Sequence, residues 1–61
     1  MQFERALKVR PGDQIACWNE SRMELVTVEK VIEPQWRIVE FLVRNGEGKV
    51  YLVKMDHCNP G

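Results

Sequence analysis

The chain has 61 residues, of which nine are Lys or Arg and nine are Asp or Glu, so its formal net charge is zero at pH 7. A chain of this length buries only roughly 60% of the surface that its unfolded state exposes, which leaves room for one domain and one core. Charges of both signs are interspersed without a block of either. The composition therefore gives no reason to expect non-specific attraction to nucleic acid or to an anionic membrane.

The two cysteines, Cys17 and Cys58, and the first residues of the chain bear on where the protein works. Two cysteines are far fewer than a disulfide-built secreted scaffold of this size carries. The N-terminus lacks a basic region followed by an apolar run, and no apolar stretch approaches about 18 residues. We therefore expect a reduced, cytoplasmic setting, with neither an export signal nor a membrane-spanning segment.

The first elements are separated by clear turn signals. Apolar positions within residues 3–9 fit either one helical turn or a short first strand. Residues 11–13 (Pro-Gly-Asp) end this segment, because Pro fixes φ, Gly supplies positive φ and Asp bonds backbone amides beyond it. Residues 14–18 alternate in character and predict a strand, and the polar residues 19–22 predict a hairpin turn after it.

A long valine-rich stretch, residues 24–32, predicts the second strand, since β-branched side chains disfavour helix and suit a pleated surface. Its alternation fails near the middle: continuing the face of Val28 would bring Lys30, and not Val31, to the core. One extra residue there swaps the two faces. We therefore expect a β-bulge or sharp bend at Glu29 and Lys30, which a small barrel needs in order to close.

Two more strands are predicted at residues 36–44 and 49–53. The first is apolar on both faces, as a central strand would be. The loop at residues 45–48 begins with Asn-Gly, a strong hairpin signal because both residues tolerate positive φ. Residues 56–61 are expected to be a flexible C-terminal tail.

These elements predict an all-β fold: a single domain over residues 1–61, with a barrel of about five antiparallel strands at about residues 7–55 and one long bent strand. Their order resembles SH3-like barrels over about residues 9–55. Within that group, Gly12-Asp13, Ala16-Cys17-Trp18 and Val39-Glu40-Phe41 are similar to the Gly-Asp, Ala-x-Trp and Val-x-Phe motifs of Tudor domains.

The Tudor resemblance implies that Trp18 forms one wall of an aromatic cage for methylated Lys or Arg. The rest of the cage is not matched, because residues 23–25 hold no aromatic. A second resemblance is to the Hint module of inteins and hedgehog proteins, carried in order by residues 12–13, 16–18, 48–49 and 56–57. The Thr of that motif is replaced by Lys54 and no nucleophile follows Met1, so this resemblance implies a common core and not self-splicing.

One run gathers an acid, an imidazole and a thiol: Asp56, His57 and Cys58. It could be a Cys/His pair or, with Cys17, a three-ligand metal site. Adjacent residues of an extended chain point to opposite faces, however, and no C-x-x-C pair supports a metal. We expect a solvated tail here, with Cys17 a small buried hydrophobic residue, and no catalytic residue, metal or cofactor.

The candidate binding residues are three aromatics and three cations near predicted turns: Trp18, Trp36, Tyr51, Arg37, Arg44 and Lys49. Each tryptophan lies at a strand end, where a large ring can be half exposed and can anchor a partner, and Tyr51 joins them if it faces outward. The three cations could share a sheet face with Trp36 and meet a phosphate backbone. Alternatively the tryptophans cap the ends of a small core and the cations are solvated surface, and the sequence leaves both interpretations open.

We therefore expect a small non-enzymatic protein-interaction module, adaptor or regulatory, that docks a protein partner by strand addition or through an apolar patch. By analogy, such a small protein would suit an accessory role in a phage or mobile element. The alternative is a nucleic-acid-binding SH3-like barrel of the transcription or translation-factor type. Neither hypothesis involves a small-molecule substrate or a membrane.

Overall fold

A computed structural model describes residues 1–60, and strands make up most of it. A helical turn, α1, spans Phe3–Ala6, and five strands follow: β1 (Gln14–Asn19), β2 (Arg22–Gln35), β3 (Ile38–Arg44), β4 (Val50–Lys54) and β5 (Cys58–Pro60). A 3-10 turn at Met55–His57 joins the last two strands. All five pair in one antiparallel sheet in the order β4-β3-β2-β1-β5, so the predicted all-β fold with five antiparallel strands is confirmed. Neither helical turn within residues 1–60 has the length and apolarity needed to cross a membrane.

The fifth strand is not where the sequence pattern placed it. The first segment forms α1, so the choice between a helical turn and a strand is settled in favour of the turn. Conversely, the expectation that the barrel ends near residue 55 is corrected, because Cys58–Pro60 form β5 and pair with β1. The physical reason is Cys58, whose side chain is buried in the core although its neighbours are polar. Gly61, the last residue of the expected tail, lies outside the described residues.

The core is filled from one face of the sheet by alternate residues of the strands. Its members are Ala6, Ile15, Cys17, Val26, Val28, Val39, Phe41, Val43, Val53 and Cys58. Most of these side chains are small, and Phe41 is the largest that is fully buried. Such a core depends on close packing of valines from three strands, β2, β3 and β4, so the loss of a single methyl group lowers the stability of the fold.

Strand β2 bends where the break in alternation predicted. Val28 pairs with Val43 and Lys30 pairs with Leu42, which leaves Glu29 as the extra residue of a β-bulge. Beyond the bulge Val31 lies opposite the buried Phe41. The bulge therefore lets both halves of β2 direct valines into the same core, and the prediction of a bend at this point is confirmed.

The sheet curls until its two edges approach each other at one end. The edges are β4 and β5, yet only Met55–His57 separates them along the chain. The four residue steps from Lys54 to Cys58 reach at most about 14 Å. In a flat sheet, four interstrand spacings of about 4.8 Å would hold the edges about 19 Å apart. The short segment between β4 and β5 therefore requires the sheet to be curved. The amino group of Met1 lies next to this segment and donates hydrogen bonds to the carbonyls of Met55 and Cys58.

Two valines of similar strand position test the account of the core. Val43 is fully buried in β3, whereas Val50 on the adjacent β4 is 41% exposed. We expect Val43→Ala to lower the free energy of unfolding by about 2 kcal/mol, through lost burial and an incompletely collapsed cavity. Val50→Ala should lower it by less than about 0.5 kcal/mol. Urea denaturation measures both, and equal losses would contradict the assignment of faces.

The loop between β1 and β2 offers a second stability test. Asn19 pairs with Arg22 across a two-residue loop, and the first loop residue, Glu20, has φ of 60°. Left-handed backbone costs a residue with a Cβ about 1–2 kcal/mol, and glycine is favoured at this position of such loops. We expect Glu20→Gly to raise the free energy of unfolding by about 0.5 kcal/mol after the entropy cost of glycine. Ser21→Gly, at a residue outside the left-handed region, should lower it instead.

Candidate functional site

The six candidate binding residues do not form one site. Trp18 precedes the loop at the start of β2, whereas Trp36 is in the loop at the other end of this 14-residue strand. Arg37 lies beside Trp36, but Arg44 ends the seven-residue β3, about 20 Å further along. Lys49 lies in the loop between β3 and β4, immediately before β4 begins. The expected cationic face shared with Trp36 is therefore not present, because its members occupy opposite ends of β3.

A group of exposed apolar side chains lies on the outer face of β1 and β2. Trp18 is directly opposite Met23, and Ala16 is directly opposite Leu25. Trp18 is 50% exposed, Met23 38% and Leu25 57%. Side chains directly opposite each other on one face of an antiparallel pair are in contact range. We call these four residues the outer patch.

Trp36 is more exposed than Trp18, at 83%, and it lies in the loop between β2 and β3 rather than on a strand. The guanidinium of Arg37 lies 5.6 Å from the centroid of its ring and 5.1 Å from that of Phe3 in α1. The same guanidinium lies 3.7 Å from Glu4 Oε1, and the backbone N–H of Arg37 donates to Glu33 Oε2. Arg37 thus fastens the helical turn to the tip of the β2–β3 hairpin, which is a structural task.

Arg44 is also engaged within the protein. Its Nη2 lies 2.9 Å from Glu29 Oε1, its Nε donates to the same oxygen, and its Nη1 donates to the Gly48 carbonyl. The pair fixes the bulge residue of β2 to the end of β3. The guanidinium is therefore engaged within the fold, with half of the side chain exposed.

A polar cluster around Glu24 was not anticipated from the sequence. Glu24 lies on the inner face at the start of β2, and its side chain is only 13% exposed. Its Oε2 accepts hydrogen bonds from Tyr51 Oη at 2.7 Å, Asn19 Nδ2 at 2.9 Å and Asn45 Nδ2 at 3.5 Å. Tyr51 therefore faces inward and is not one of the exposed aromatics. Three donors from three strands or loops converge on one carboxylate oxygen.

Asn45 connects this cluster to the β3–β4 loop. Its Oδ1 accepts the backbone N–H groups of Glu47 and Lys49 at 3.0 and 2.9 Å, while its Nδ2 reaches Glu24. A polar cleft of about 370 Å³ lies between this loop and the β1–β2 loop, and Lys49 lines it. The Asn of the Asn-Gly signal thus supplies a side chain that closes its own loop, whereas the positive φ of this loop falls on Gly48.

These contacts shift the protonation equilibria of the pair. The hydrogen bond from Tyr51 is the main cause that lowers the pKa of Glu24, and the two asparagine amides and Arg22 lower it further against the opposing effect of burial. Burial, followed by the bond to Glu24, raises the pKa of Tyr51. The carboxylate is therefore ionised and the phenol protonated at neutral pH, as the hydrogen bond requires.

The Asp56-His57-Cys58 run is divided between surface and core. Asp56 and His57 are exposed, whereas Cys58 is 2% exposed and lies opposite the fully buried Cys17. Both thiols are free. Within residues 1–60, no group of three or more His, Cys, Asp or Glu side chains is arranged to hold a metal ion.

Comparison with protein-family models, with curated proteins and with solved structures found no match to this chain. The outer patch, the Glu24 cluster and the cysteine pair are therefore interpreted from their geometry alone.

The Glu24 cluster predicts a pH dependence of stability. Because the pKa of Glu24 is lower in the folded chain than in the unfolded one, the unfolded chain binds more protons as the pH falls. The stabilisation that the ionised Glu24 contributes is complete above the pKa of Glu in the unfolded chain, about 4.3. It is lost as the pH falls through the pKa of Glu24 in the folded chain. We expect Tyr51→Phe, which removes the main donor, to be less stable than wild type at about pH 7, with the difference shrinking towards about pH 3.

Urea titrations across this pH range measure the difference, and Glu24→Gln is the matched variant that cannot ionise. The stability gap between Glu24→Gln and wild type should shrink at low pH in the same way. A gap between wild type and Tyr51→Phe that stays constant over the whole range would show that the phenol stabilises the fold independently of the carboxylate charge.

Proposed function

We propose that this chain is a small non-enzymatic protein-interaction module, of an adaptor or regulatory kind, that docks a protein partner on the outer patch. The observation that carries the proposal is the Trp18–Met23 pair beside Leu25, three large apolar side chains that are each at least 38% exposed on one face. Contiguous exposed apolar groups of this kind are typical of interaction sites on small soluble domains.

The composition of the patch favours a protein segment with apolar side chains as the partner. Tryptophan is enriched among the residues that dominate binding energy, since a rigid ring contributes a large area at a small entropic cost. Methionine adapts its shape to different neighbours. The Gln14–Thr27 pair continues the same face beyond Ala16 and Leu25 and supplies a polar border.

The topology supports an SH3-like barrel as the scaffold for this role. The strand order β4-β3-β2-β1-β5, the bent β2 shared by both halves of the sheet and the 3-10 turn before β5 are features of such barrels. A Tudor-type cage has less support, because Met23 and not an aromatic lies opposite Trp18, and Tyr51 faces inward to Glu24. The apolar patch is thus better suited to an apolar segment than to a methylated ammonium.

Two observations favour a protein partner over nucleic acid or a substrate. Arg37 and Arg44 are each paired with a carboxylate and lie far apart, so they do not track a phosphate backbone. His57 is exposed while Cys58 is buried, so an imidazole and a thiol do not face one reacting molecule.

The two tryptophans provide a matched test of the docking surface. Immobilised wild type, Trp18→Ala and Trp36→Ala would be offered to the same cell extract, and each captured protein would then be purified and titrated against all three variants. We expect Trp36→Ala to bind like wild type and Trp18→Ala to bind at least about 30-fold more weakly, as for a central anchor worth about 2 kcal/mol. Thermal unfolding of each variant confirms that it is folded.

A partner that binds Trp18→Ala as tightly as wild type would overturn the assignment of the site. Loss with Trp36→Ala alone would move the site to the β2–β3 tip. Oligonucleotide titrations at two salt concentrations address the other class of partner: tight binding that weakens steeply with salt would replace the protein-interaction proposal by a nucleic-acid-binding one.

A further inference from the structure

The two thiols of the chain lie directly opposite each other inside the barrel. Cys17 in β1 and Cys58 in β5 are cross-strand partners of an antiparallel pair, and both side chains are turned to the core. They come from residues far apart in the sequence, so the fold itself brings them together. Nothing in the proposed docking role uses either thiol.

The hydrogen-bonding pattern of β1 decides the geometry of this pair. The N–H of Val28 donates to the Asp13 carbonyl at 2.8 Å, and Asn19 pairs with Arg22 across the two-residue loop at the other end. Successive residues of a strand direct their backbone groups to opposite sides, so positions 13, 15, 17 and 19 all bond to β2. Cys17 therefore bonds to β2 and not to β5, and Cys17 with Cys58 is a non-hydrogen-bonded pair.

Non-hydrogen-bonded pairs bring side chains closest, with Cα atoms about 4.5 Å apart. Disulfides span Cα separations of about 4.4–6.8 Å. A non-hydrogen-bonded pair at that spacing falls within the range that a disulfide bridges. The thiol of Cys58 also donates a weak hydrogen bond to the Lys54 carbonyl, so its sulfur is held near the start of the 3-10 turn.

We propose that Cys17 and Cys58 form an oxidation site at which a small disulfide such as oxidised glutathione links β1 to β5. The Cys58 thiolate attacks one sulfur of the oxidant, forms a mixed disulfide and displaces one glutathione thiolate. Cys17 then loses its proton and attacks the sulfur of Cys58, which forms the Cys17–Cys58 bond and displaces the second glutathione. Two protein thiols are oxidised, and one glutathione disulfide is reduced to two thiols.

Two features favour Cys58 as the first nucleophile. The hydrogen bond from Cys17 is the main cause that lowers the pKa of Cys58, and the nearby amino group of Met1 lowers it further against the effect of burial. The same contact, together with burial, raises the pKa of Cys17. β5 is also the shortest strand, with three residues, and it pairs with β1 alone. Local opening of β5 therefore exposes Cys58 at a small cost in free energy.

The bond would fasten the edge strand β5 and close a loop that contains β2, β3 and β4. Constraining a loop of that length reduces the entropy of the unfolded chain. The oxidised protein should therefore be more stable than the reduced one, and a reducing agent should reverse the change.

The test uses the folded full chain incubated with oxidised glutathione over a range of ratios to reduced glutathione. We expect the intact mass to fall by two hydrogens, both thiols to become unreactive towards a chromogenic thiol reagent after denaturation, and the product to migrate as a monomer on a non-reducing gel. Its Tm should rise by at least about 5 °C and return to the starting value with dithiothreitol.

Cys17→Ala and Cys58→Ala serve as controls, and we expect each to stop at a mixed disulfide or to remain unmodified, with no rise in Tm. Should either variant fail to fold, the mass and thiol count of the wild type still decide the question. Two free thiols after oxidation, a stable mixed disulfide on the wild type, dimers linked between chains or an unchanged Tm would each overturn the proposal.

Discussion

The single extra residue in β2 is the constraint on which the rest of the structure depends. Glu29 shifts the register by one position, so that Val28 before it and Val31 after it both serve the core. Without the shift, the second half of β2 would turn its valines to solvent and place lysine inside, at a large cost in buried charge. The bend also allows the sheet to curl, which the short connection between β4 and β5 requires.

A core of such small side chains gives the fold only a small free energy of unfolding, and polar contacts at the periphery add to it. Only Phe41 among the fully buried side chains is large. The Glu24 cluster ties the β1–β2 and β3–β4 loops together, Arg44 holds the bulge, and Arg37 fastens α1 to the distant hairpin tip. Each of these contacts joins two elements at the periphery of the core, which is where a small domain needs support.

The elements that the sequence predicted correctly are those whose signals are local. The bulge at Glu29 follows from a break in alternation, and the β3–β4 loop follows from Asn-Gly, both readable within a few residues. β5 has no such signal, because Cys58 is one apolar residue in a polar run, and its burial depends on pairing with β1 from the other end of the chain.

The site residues show the same division between local and distant information. Alternation places Trp18 on the face of β1 opposite to Ile15 and Cys17. Which of the two faces is buried depends on how β1 pairs with β2 and β5 in the folded sheet. Glu24 looks like surface in the sequence, and only its convergence with Tyr51 and Asn45 makes it a buried acceptor. A charged residue on the inner face of a predicted strand is the one signal that could have identified it.

Because side chains alternate along β1, the outer patch and the cysteine pair share one stretch of backbone. Trp18 faces solvent and the adjacent Cys17 faces Cys58 across the core side of the same strand. A bond between the two sulfurs would fix β1 between β2 and β5, and a partner docking on Trp18 would then order less of the protein on binding. The proposed oxidation and docking sites lie on opposite faces of β1, so any coupling between them would run through the stiffness of that strand rather than through direct contact.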